Sequence, residues 1–125
     1  MERLALMLAA SCFVPLIMLI FGIVLTVKPP KSVNGIYGYR TARSQKSQEA
    51  WDYAQRLTGK WWTWTGAALL LVTITAITIS YFLFYEQFEN VSATATTLNV
   101  ALLILTIIPV EYSLKKNFDE TGNKK

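Results

Sequence analysis

The residues best equipped for chemistry crowd into one stretch, 34–60, and into a short C-terminal segment. The first holds Asn34, Gly38, Tyr39, Arg40, Thr41, Ser44, Lys46, Ser47, Glu49, Trp51 and Lys60; the second holds Phe118 and Asp119. This is recognition chemistry. A guanidinium grips carboxylates or phosphates with paired donors, a lysine acts as a point charge, and tyrosine and tryptophan offer flat faces and a polar tip. The tools of catalysis are scarce. Histidine is absent and Cys12 is the single cysteine, which removes the commonest general base and metal ligand. No metal-ligand spacing and no phosphate-binding glycine loop stands out. The chain therefore reads as a binder, with no catalytic residue, metal or cofactor expected. A membrane enzyme acting on a lipid or peptide is a second rival, which a cavity lined by Arg40, Glu49 and Asp52 would favour.

Asn34 with Gly35, then Gly38, favour tight turns. Arg40 is expected to stack on Tyr37 or Tyr39 and to pair with Glu49 or Asp52, pinning the turn to the next helix. Arg40, Arg43, Lys46 and Lys60 could form a docking surface for a cytosolic protein or an anionic head group, or could only set topology. A helix is expected from Ser44 or Ser47 to Leu57. Ser47 caps it, Glu49 suits its first turn, and Ala50, Tyr53, Ala54 and Leu57 recur at helical spacing. Arg56 and Gly59 supply stop signals. Such a short amphipathic helix is expected to lie in the head-group plane.

What must position these residues is a set of membrane spans. Three long blocks, at about 4–27, 61–85 and 91–110, are apolar and free of charge, and a run of about 20 apolar residues crosses the bilayer core as a helix. The first is too long for a signal peptide and is followed by Lys28, Pro29, Pro30 and Lys31 rather than a small-residue cleavage site. Of twelve Lys and Arg, seven lie in loop 28–60 and four in tail 111–125. The positive-inside rule puts loop and tail in the cytosol and the N-terminus outside. Trp61, Trp62 and Trp64 mark one interface; Tyr81, Phe82, Phe84 and Tyr85 mark the other. The reading is one all-α, three-span domain over 1–125, with a tail frayed at its end.

Hydroxyls in the second and third spans are expected to bond between helices or back to their own helix, rather than to line a path. A small oligomeric transporter or channel-like subunit is the first rival. Asn99 should face another helix, and Glu111 should sit at the interface beside Lys115. Thr73, Ser80, Thr97 and Asn99 could together hold a homodimer.

Asn34, the run Gly38, Tyr39, Arg40, Thr41, then Ser44, Lys46, Ser47, Glu49, Trp51, Ala54, Gly59 and Lys60, together with the closing segment 114–122, resemble the signature of the SdpI family, immunity proteins to the sporulation-delaying protein toxin. The resemblance implies a multi-pass protein of the bacterial plasma membrane. It also implies protection against a peptide toxin on the outer side, and possible capture of a cytosolic repressor at the basic loop. No direct nucleic-acid contact is implied. The founding member carries a further membrane region, so this chain is expected to correspond to the shared C-terminal half alone.

Overall fold

The computed structural model describes residues 1–33 and 36–125; the turn expected at Asn34 and Gly35 lies outside the described residues. The architecture is all-helical: α1 (Glu2–Val27), α2 (Gln48–Leu83), a 3-10 turn (Tyr85–Gln87), α3 (Phe88–Leu105) and α4 (Ile107–Asn117). Among the described residues, three stretches are long and apolar enough to cross a membrane: Glu2–Val27, Gln48–Leu83, and Tyr85–Asn117 taken through α3 and α4.

α2 departs from expectation. It runs 36 residues without interruption, about 54 Å at 1.5 Å per residue, against a hydrocarbon core of about 30 Å. Its first turns must therefore stand clear of the core. The amphipathic segment is the opening of the second span, not a separate helix in the head-group plane. Gly59 ends nothing, because it serves helix packing. A Cβ there would lie 2.8 Å from Thr26 Oγ1 and 3.1 Å from the Gly22 carbonyl; one on Gly66 would lie 2.7 Å from the Leu19 nitrogen. Gly22, Gly59 and Gly66 let α1 and α2 approach backbone to backbone, the usual role of small residues between helices in lipid.

The third span has a hitch at Thr106. Its N–H is shared between the carbonyls of Leu102 and Leu103, at 3.1 and 3.2 Å. Pro109 explains the break, since it has no N–H for the Leu105 carbonyl and its ring crowds that group.

Most of the span hydroxyls bond between helices or back to their own helix, as expected. The Ser11 and Ser92 oxygens lie 2.5 Å apart, and Thr96 donates to Ser11 at 2.9 Å. Asn99 Nδ2 reaches Thr73 Oγ1 at 3.0 Å and the Ser11 carbonyl at 3.3 Å, so Asn99 ties all three spans together. Thr75 and Thr97 bond back to the carbonyls of Leu71 and Ala93. Of the four residues proposed for a dimer seam, Thr73, Ser80 and Asn99 are buried within the chain, and only Thr97 is exposed. Ser11, Thr73, Ser92 and Asn99 thus join helices of one chain, while Thr75, Thr94 and Thr97 are exposed.

Candidate functional site

Residues 36–47, the start of α2, α4 and the tail fold into one cap at the basic end. Its apolar centre joins Tyr39, Ala50, Ala54, Val110, Leu114 and Phe118, with Tyr53 and Leu57 against it. Tyr39 is the hub. Its N–H donates to Gln55 Oε1 and its carbonyl accepts from Gln55 Nε2, both at 2.7 Å, so one buried side-chain amide reads both backbone groups. Its hydroxyl donates to Glu111 Oε1 at 2.6 Å, and Arg43 Nε lies 3.6 Å from Glu111 Oε2. Burial, first, and then the hydrogen bond to Glu111 push the Tyr39 phenol well above its usual range. Glu111 thus serves the loop rather than the expected Lys115.

Gly38 makes this possible. Its φ is +110°, and a Cβ would lie 2.8 Å from Gln55 Oε1 and 2.9 Å from Pro30 Cγ. The next turn is closed by two residues reciprocally. The Thr41 N–H donates to Ser44 Oγ at 2.8 Å, and the Ser44 N–H donates to Thr41 Oγ1 at 3.3 Å. Trp51, fully buried, donates its indole N–H to the Pro30 carbonyl at 2.8 Å and fixes where the loop leaves α1.

Ser47 caps α2 as expected, accepting from the Ala50 N–H at 3.0 Å. Its hydroxyl also donates to the Gly122 carbonyl at 2.5 Å, and Lys46 Nζ donates to the Glu120 carbonyl at 2.6 Å. The tail is therefore not frayed. It folds back because Asp119 Oδ1 accepts from the N–H groups of Thr121 and Asn123, and Gly122 takes a φ of +87°. Those donors hold the Asp119 carboxyl below its ordinary value, with the Thr121 hydroxyl foremost. Phe118 meets the Tyr53 ring edge-on at 5.5 Å, and Asn117 Nδ2 donates to the Tyr53 hydroxyl at 3.1 Å.

The structure thus brings together Gly38, Tyr39, Thr41, Ser44, Lys46, Ser47, Trp51, Phe118 and Asp119. Arg40 stands apart. It is exposed, and the expected ion pair with Glu49 or Asp52 is absent among the described residues. The loop is pinned instead by the Tyr39 backbone, which needs no charge. Glu49 is exposed in the first turn of α2, and Lys60 points outward near Trp61 and Trp64. Asn34 lies outside the described residues. Gln55 carries most of the fastening, and sequence reading passed it over. Its signal was positional: it shares the inward face of α2 with Trp51, Ala54 and Thr58, where a polar residue needs a partner. No group of three or more His, Cys, Asp or Glu suited to a metal occurs among the described residues.

The chain's relatives place the cap in a family. A stretch of 40 residues is 50% identical to the uncharacterized protein YfhL of Bacillus subtilis (strain 168), covering 32% of this chain and 36% of that protein. No solved structure matches. The model of the SdpI/YfhL protein family matches residues 31–113, which take in the loop, α2, α3 and the Tyr39 contact on Glu111. On that match, over more than half its length, this chain belongs to the SdpI/YfhL protein family.

Proposed function

We propose that the chain is a bacterial plasma-membrane protein that works by binding, as an immunity or signalling component of the SdpI type. The observation that carries this reading is the cap. Three hydrogen bonds fix one loop residue, Tyr39, to α2 and α4, and the tail is clamped onto the same body. A surface held this firmly suits recognition, because binding then requires little ordering of the loop. The exposed cations around it, among them Arg40, Lys115 and Lys116, suit a cytosolic partner with an acidic face, as a captured repressor would need. A peptide toxin would be met from the opposite side, at the turn around Glu86 and Gln87.

Sidedness is tested by single cysteines at Gln87 and Gln48 in a Cys12→Ala background. In intact cells Gln87→Cys should react with an impermeant reagent and Gln48→Cys should not; the reverse pattern would sink the orientation. Function is tested by expressing the chain in a toxin-sensitive strain and challenging with the peptide. Survival that is lost in Gln55→Leu, at unchanged expression, is the expected result. No protection by the intact chain would refute the immunity reading.

A further inference from the structure

The four tryptophans divide into two pairs. Trp51 donates to the Pro30 carbonyl and Trp62 to Thr106 Oγ1, at 2.8 and 3.0 Å. Trp61 and Trp64 make no hydrogen bond among the described residues and are 42% and 73% exposed. Leu57, Lys60, Trp61 and Trp64 line a cleft of about 260 Å³. Their spacing puts them on one face of α2. Arg56 precedes Lys60 by one turn, and neither cation has an ion-pair partner among the described residues. The nearest acid on the helix is Asp52, one turn before Arg56; its carboxylate accepts from Gln48 Nε2 at 2.8 Å. Glu49 lies a turn further away, and both acids line a neighbouring pocket with Arg56 beside the tail.

Depth adds a second argument. α2 ends at Leu83, and counting back about 20 residues for the hydrocarbon core reaches Trp64. Lys60 then stands about 6 Å above that edge, at head-group level, Arg56 about 12 Å above it, from where its long side chain reaches down, and Trp61 and Trp64 lie at the boundary below.

We propose that Arg56, Lys60, Trp61 and Trp64 form a binding site for an anionic glycerophospholipid. The two cations take the phosphate, the free indole N–H groups donate to phosphate or ester oxygens, and the upper acyl chain lies against Leu57 and Trp64. A lipid fits better than an acidic peptide because the cationic upper half continues directly into an apolar, membrane-level lower half.

The test is tryptophan quenching in the full chain, reconstituted in phosphatidylcholine vesicles. A minority of either phosphatidylglycerol or phosphatidylcholine carries bromine on its acyl chains. Quenching should report an enrichment of phosphatidylglycerol of about tenfold to thirtyfold, the scale of two interfacial cations. Trp64→Phe should remove much of the quenched signal. The Arg56→Gln/Lys60→Gln pair should lower the enrichment to the phosphatidylcholine level, while Lys115→Gln/Lys116→Gln should retain it. Equal quenching by the two lipids in the intact chain would overturn the proposal. Equal loss in both double variants would overturn it too, since only the diffuse field of the basic end would then be at work. Displacement by soluble glycerol 3-phosphate would make the ligand a free phosphate ester instead.

Discussion

The two ends of the helix bundle are closed in different ways. At the basic end a long loop and a tail are fastened by amide-to-backbone bonds and a buried apolar centre. At the other end α2 passes to α3 through one 3-10 turn, backed by stacked and edge-on contacts among Tyr81, Tyr85 and Phe88. The polar ties there are exposed: the Met1 amine donates to the Tyr81 hydroxyl, and Arg3 pairs with Glu89. Buried hydrogen bonds matter because losing one partner strands the other without water. Exposed ion pairs contribute little, because water and salt substitute for them. The basic end should therefore be brittle to single changes and the opposite end tolerant.

The sharpest way to break that contrast is Gly38→Ala. It strains a positive φ and drives a methyl into Gln55 and Pro30; a loss of about 2–4 kcal/mol is expected, read as a fall in thermal midpoint and faster proteolysis of the loop. Gln55→Leu should follow closely. It leaves the Tyr39 N–H buried and unpaired and its carbonyl with the Ser44 hydroxyl alone, at 3.2 Å, at a cost of about 1–3 kcal/mol, while an unchanged midpoint would mean the loop is held elsewhere. Next comes Asn99→Leu, which removes bonds to Thr73 and the Ser11 carbonyl; about 1 kcal/mol is expected, since such bonds in lipid are individually modest. Arg3→Ala should cost about 0.5 kcal/mol or less, as exposed pairs do, and Arg40→Ala should be equally mild for stability.

Alkali offers a separate handle on the same contrast. The Tyr39 phenol is raised in the folded chain, so the folded state holds its proton where the unfolded state releases it. The associated stability is full below the ordinary tyrosine value of about 10 and is lost as pH rises through the folded value. Tyr39→Phe should flatten the alkaline limb of the stability profile, which denaturation at stepped pH would measure. An equally steep limb in the variant would assign the titration to another group.

Much of this was legible beforehand. Charge-free blocks announce spans, because lipid penalises charge and forces helix. Ser47 announced its cap. What failed did so for identifiable reasons. Gly59 was read as a stop because glycine favours helix ends, yet the same missing side chain also permits close packing, and only the neighbouring helix decides between them. Arg40 drew attention because charge is conspicuous, while the fastening is done by Gln55, neutral and between helical neighbours. The tail looked frayed because it is polar, but Asp119 and Gly122 build a local hairpin that composition does not reveal.

One consequence of the unbroken α2 concerns motion. Gln55 and Thr73 are eighteen residues apart, five full turns at 3.6 residues each, so they lie on one face about 27 Å apart along the axis. Gln55 grips the loop, and Thr73 meets Asn99 in the middle of the bundle. With no hinge between them, the helix behaves as a shaft. Any turn that frees the Tyr39 backbone rotates Thr73 away from Asn99 through the same angle. The cap and the middle of the bundle are geared together.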